Sequence, residues 1–273
     1  MQIHWPLVIS TACQRAGLGL FICACIANLF GAELPMGAVA WCALAFLAVG
    51  GCASIFHLQR PQRFFNAFSN PKSHLTQEGL ITPLLGIALL LVGFGVGGGV
   101  AEVAALILSL AFLLCTGLAY QMKSRPAWNT GFVLALFLLT AAEAGFVGTA
   151  LAAAAVGSGT ANALTLCGAA AIAATICVQL GYIGRMKRVG YNVAYNAWSE
   201  PYKSTTLAWL ACAAVAGVCM LASALAPGAA IALGAAAEAC LFASIAAWTV
   251  LFFKGAHKVK MFPMYSVDLN LDM

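Results

Sequence analysis

Apolar residues in this chain gather into eight long runs, separated by short polar or glycine-rich breaks. The runs cover approximately Leu7 to Phe30, Met36 to Phe56, Leu80 to Val100, Val103 to Tyr120, Thr130 to Ala155, Ala161 to Ile183, Ser204 to Leu225 and Ala229 to Phe253. Each is near the roughly 20 residues that cross a bilayer at 1.5 Å rise per residue. Lipid forces backbone donors to be satisfied within their own segment, so each run predicts a spanning α-helix. The breaks fall at Gly31 to Pro35, His57 to Gly79, the Gly97-Gly98-Gly99 run with Glu102, Gln121 to Asn129, Val156 to Gly159, Gly184 to Lys203, and Pro227-Gly228. The expected fold is all-α, a polytopic membrane helix bundle with eight transmembrane helices. It forms a single integral membrane domain over residues 1–273, ending in a tail from 254 to 273.

Composition supports that reading. Charged residues are 8% and apolar residues 63% of the chain, and mean hydropathy is +0.96, far from the roughly 25% charged residues of soluble domains. The first run is expected to be retained rather than cleaved as a signal peptide. Nothing basic precedes it, Arg15 interrupts its middle, and no small-x-small cleavage site follows.

Charge then orients the bundle. With eight spans, the termini and the second, fourth and sixth connections share one side, the basic face. Twelve of the 13 Lys and Arg fall there: Arg60, Arg63, Lys72, Lys123, Arg125, Arg185, Lys187, Arg188, Lys203, Lys254, Lys258 and Lys260. The opposite connections carry Glu33 and Glu102 and no basic residue. By the positive-inside bias both termini are expected in the cytoplasm.

The 11 Cys all lie within runs and form no CxxC, so neither an iron–sulfur cluster nor a metal site has its usual spacing, and they read as packing residues. None of the four histidines, His4, His57, His74 and His257, lies at mid-span, so no haem of the bis-histidine kind is expected. No base-reading or phosphate-cradling element accompanies the basic residues, and nucleic acid is not an expected partner; membrane lipid is. Small residues pervade the runs, including Gly93 with Gly97 and Gly95 with Gly99, and read as sites of close helix approach.

Three ionisable residues, Arg15, Glu143 and Glu238, fall inside runs, where a central charge costs about 2.5 to 3.5 kcal/mol on insertion scales. Two readings stand. One is a proton path or substrate-binding pair; the other is an interhelical ion pair between Arg15 and a glutamate, or a protonated glutamate facing the bundle.

The connection after the second run reads His57-Leu58-Gln59-Arg60-Pro61-Gln62-Arg63-Phe64-Phe65-Asn66-Ala67-Phe68, and continues through Ser73 and Leu75 to Glu78. His57 ends one helix and Glu78 begins the next, so both reach the same interface. An imidazole with an unperturbed pKa near 6.5 suits proton acceptance from a hydroxyl at neutral pH, and a carboxylate across the loop can take that proton onward. Arg63 can hold Glu78 or polarise a carbonyl, with Phe64 as apolar wall. The plainer reading is an interfacial loop with snorkelling arginines, belt aromatics and a capping histidine.

This stretch resembles the signature His-Leu-Gly-x-Pro-x-Arg-x-x-x-Ala, then Ser-x-Leu-Ser-x-Glu, of the membrane-anchor subunits of dimethyl sulfoxide reductases, the DmsC-like family. His57, Leu58, Pro61, Arg63, Ala67, Ser73, Leu75 and Glu78 match, while Gln59 replaces the glycine and Thr76 the second serine. His4-Trp5-Pro6-Leu7 resembles the family's amino-terminal segment, and Arg125-Pro126-Ala127-Trp128-Asn129-Thr130 its loop before the fifth span. The carboxyl-terminal Gly-Glu-x-x-Gly-Arg motif survives only as Glu238.

The resemblance implies a multi-pass subunit of the bacterial cytoplasmic (inner) membrane. It would anchor a molybdopterin catalytic subunit and a four-cluster iron–sulfur subunit, and oxidise menaquinol for them in anaerobic respiration, without acting on the terminal substrate. Carried over, His57 and Glu78 would handle the quinol protons, with Arg63, Phe64, Arg125 and Trp128 as further quinol-site residues. Arg60, Arg185, Lys187, Arg188 and Trp198 are candidate docking residues for the partner; the alternative for the basic ones is topology and attraction to anionic lipid. Two other functions remain open: a purely structural anchor that tolerates loss of His57, and a secondary transporter using Arg15, Glu143 and Glu238, which would call for inverted repeats.

Overall fold

The computed structural model describes residues 5–56, 70–123, 125, 127–189 and 196–255, with the side chains of 187–189 outside that set. Its eight long helices are α1 (Trp5–Leu29), α2 (Met36–Phe56), α3 (His74–Gly93), α4 (Gly98–Ala119), α5 (Gly131–Ala155), α6 (Ala161–Val189), α7 (Lys203–Leu225) and α8 (Ala230–Gly255). All eight are long and apolar enough to cross a membrane, and no strand occurs among the described residues.

α1 is the axis of the bundle. Of its most apolar stretch 83% is buried, against 50% for α5 and at most 33% for the other six. It packs against α2, α4, α5 and α8. Leu80, Leu84, Ile87, Val103, Ile107, Val218 and Leu221 on the outer helices stay exposed, as expected of side chains whose solvent is lipid.

Close approach of α1 and α5 depends on two glycines. A Cβ on Gly19 would collide with the Ala141 carbonyl, and one on Gly145 with the Gly19 carbonyl and with Cys23 Sγ. Small residues let backbones meet where lipid provides no hydrophobic drive between helices. In the run from Gly93 to Gly99, Gly93 makes the close packing expected of it, while the later glycines turn the chain. Gly93 receives the Trp41 ring, whose Nε1 donates to the Gly93 carbonyl at 3.0 Å. Gly95, Gly97 and Gly98 take positive φ values of 70°, 85° and 52°, the left-handed backbone that turns the chain between α3 and α4. The third span therefore ends at Gly93 rather than Val100, and Glu102 lies inside α4.

At the other ends, helices outlast the apolar runs. α3 starts at His74 instead of Leu80, and α6 continues past Ile183 to Val189, carrying Arg185 in its last turns. An aromatic layer built around Trp128, Phe137, Tyr182, Trp209, Trp248 and Phe252 fills the basic-face end of α5 to α8.

Candidate functional site

Glu78 lies in the second turn of α3, on the face where α2 ends at Phe56. Its half-buried carboxyl lies beside the Thr116 hydroxyl of α4. Thr116 bonds the Phe112 carbonyl at 3.0 Å, which fixes its hydroxyl over the helix. One turn further, at the end of α4, Tyr120 lies within electrostatic range of Glu78 on one side and Arg15 on the other.

Tyr120 joins Glu78 to the loop before α5. Its ring meets Trp128 edge-on at 5.5 Å and stacks on Phe137 at 5.1 Å. Trp128 is buried, lies parallel to Phe252 at 5.0 Å, and donates from Nε1 to the Phe252 carbonyl at 3.2 Å. Arg125 covers the outer side of Trp128, its guanidinium carbon 4.4 Å from the ring centroid, a cation–π contact at the membrane surface. Glu78, Trp128 and Arg125 thus come together through Thr116 and Tyr120, neither of which was among the residues expected from the sequence. No local pattern marks these two, because they end an apolar span and acquire their place only when α4 packs on α3.

Not every expected residue can be placed. His57, Arg60, Arg63 and Phe64 lie outside the described residues. Lys187 and Arg188 fall in the last turn of α6, their side chains outside that set as well. Arg185 and Trp198 are exposed on the basic face.

Below the aromatic layer, Arg15 is buried in the centre of the bundle. Nε donates to the Thr11 carbonyl at 2.8 Å, Nη1 to Thr140 Oγ1 at 3.0 Å and Nη2 to Thr249 Oγ1 at 2.5 Å. The Phe137 ring faces the guanidinium at 4.9 Å. Of the readings open for Arg15, an ion pair with a glutamate is not what holds it: hydroxyls of α5 and α8 and the Thr11 carbonyl give each guanidinium nitrogen a partner. Glu143, buried one turn further along α5 than Thr140, lies beside Thr175 of α6. Among the described residues no group of three or more His, Cys, Asp or Glu gathers as a metal site, and the cysteines are free thiols dispersed through the bundle.

No curated protein matches the chain. Residues 1–253 match the model of the family described as DMSO reductase anchor subunit (DmsC), a match that takes in all eight helices up to Phe253. The chain therefore belongs to the DmsC family and is a multi-pass membrane anchor subunit of a DMSO-reductase-type complex.

Proposed function

We propose that this anchor subunit binds menaquinol at its basic face and oxidises it for the partner subunits. The observation that carries the reading is the half-buried carboxyl of Glu78, beside Thr116 and within electrostatic range of Tyr120, whose ring meets Trp128 at the end of the bundle. A carboxylate capping a helix end for structural reasons alone would favour water; this one is half-buried against Thr116 of α4 and within electrostatic range of Tyr120, a setting in which a carboxyl serves as proton acceptor. Quinol oxidation releases two protons and two electrons. In this reading His57, the residue after the last of α2, takes the two hydroxyl protons in turn and Glu78 relays each onward before the next is taken. Arg63 steadies the carboxylate, and Phe64, Trp128 and Arg125 border the ring. Since the thiols here are dispersed and unpaired, the electrons pass to an iron–sulfur centre of the docked four-cluster subunit, which in turn supplies a molybdopterin catalytic subunit. Arg60, Lys187 and Arg188 join the exposed Arg185 and Trp198 as the docking residues, where basic and aromatic groups favour association with an acidic partner. The complex belongs in a bacterial cytoplasmic membrane, with the termini of this chain on the cytoplasmic side by charge bias.

Photolabelling of the assembled complex with an azido-quinone tests the assignment of the site. Label is expected in the peptides spanning residues 57–78 and 115–128, with excess menaquinol analogue suppressing it. Label confined to other helices, or label indifferent to the competitor, would favour the structural anchor over a quinol-oxidising one.

A further inference from the structure

Buried polar groups do not stop at Arg15. Helix rise of 1.5 Å per residue puts Glu78 about 6 Å, Arg15 about 15 Å, Glu143 about 18 Å and Glu238 about 26 Å from the helix ends at the basic face. The last three are contributed by α1, α5 and α8, which pack against one another in the core. Glu143 lies within electrostatic range of Arg15 on one side and of Glu238 on the other. Glu238 Oε2 is buried and has no hydrogen-bond partner. It faces Gly148 of α5, where a Cβ would come within 3.8 Å of it. On the basic-face side of Arg15, a small pocket lined by Leu136, Phe137, Trp248, Thr249 and Phe252 continues toward the aromatic layer that contains Tyr120.

We propose that Glu143 and Glu238 form a proton-carrying file that joins the Glu78 end of the bundle to the opposite membrane face. Three features of the arrangement argue for transport over packing. Ionisable side chains are rare at membrane depth and mark ion or proton routes when they face a bundle interior. These are spaced so that the file runs from one face nearly to the other, whereas a structural pair needs only one depth. The Glu238 oxygen, buried beside Gly148 without a hydrogen-bond partner, is left open to exchange a proton at the end of the file nearest the opposite loops. In each transfer a proton leaves one carboxyl oxygen or water for the next and a second proton refills the donor, so no electron moves in the file. Arg15, fixed by its hydroxyls, supplies the positive field that lets Glu143 release its proton outward. This inference rests on the proposed quinol site for the source of its protons, but the conductance of the file does not.

The test uses proteoliposomes of the complete complex in one orientation, with a trapped pH dye. During oxidation of a menaquinol analogue, protons are expected on the opposite face, and Glu143→Gln and Glu238→Gln should each lower that release at least about threefold with the partner subunits retained. Glu238→Asp, which keeps a carboxyl, should restore most of it. Release wholly on the basic face by the native complex, or release unchanged in both variants, would overturn the file. A second measurement separates this from the quinol site: proton flux driven by a potassium diffusion potential, with no quinol present. Native flux above that of both variants supports the file even if quinol oxidation takes place elsewhere; equal flux removes it even if the quinol site stands.

Discussion

Glu78→Gln is expected to cut menaquinol-analogue oxidation by the assembled complex roughly 10²- to 10⁴-fold, the range that a positioned proton acceptor contributes. Glutamine keeps the length and shape of the side chain beside Thr116, so packing of α3 on α4 should survive. What it loses is the ability to take a proton. The partner subunits should still co-purify, and the quinone analogue should still bind, because the Trp128 and Tyr120 walls are untouched. Oxidation within tenfold of native, with assembly intact, would take Glu78 out of the proton route.

The second large effect concerns the axis of the bundle. Gly145→Leu drives a side chain into the Gly19 carbonyl and Cys23 Sγ of α1. Neither is a flexible end that can swing aside, so the two helices must separate. Overpacking of this kind costs about 3 kcal/mol or more, roughly a 6 to 12 °C loss in unfolding midpoint. Separation would also withdraw Thr140 from the Arg15 guanidinium, now 3.0 Å away, leaving a buried charge short of a partner. Gly86→Leu is the control, since a Cβ there meets nothing within 4 Å. Thermal unfolding of the purified complex in detergent should show a large drop for the first and little change for the second; equal behaviour would mean that the α1–α5 contact is looser than its geometry indicates.

Hydropathy located all eight helices because lipid imposes a length of apolar chain on every span, and that length is visible in sequence. It misplaced their ends for the same reason. Apolar runs mark the thickness of the hydrocarbon layer, whereas a helix ends where its backbone turns. α6 carries on through Arg185 into the interface, and α3 begins six residues before Leu80. Between α3 and α4 the error has the opposite sign: Val96 and Val100 read as membrane, yet the positive φ at Gly95 and Gly97 had already ended the helix.

The site was legible to a similar degree. Glu78, Arg125 and Trp128 stand out by residue type at the end of a span, and all three come to the same end of the bundle. Thr116 and Tyr120 do not stand out, because a hydroxyl near the end of an apolar helix carries no message until its neighbour is known. Arg15 shows the limit most clearly. Sequence offered a glutamate partner, since opposite charges are the obvious match; the fold supplies Thr140 and Thr249 instead, from helices 125 and 234 residues away in sequence. Which glycines bring helices together was hidden too, for Gly19 and Gly145 look like any other small residue of an apolar span while the conspicuous glycine run makes a turn.

The central claim, that this anchor oxidises quinol at the end of α2 and α3, is tested most directly by His57→Ala in membranes holding the whole complex. Oxidation of a menaquinol analogue should fall at least about 100-fold, as expected for loss of a general base, while the iron–sulfur and catalytic subunits remain bound. Undiminished oxidation with the complex intact would contradict the claim and leave the chain an anchor whose quinol chemistry, if any, lies elsewhere.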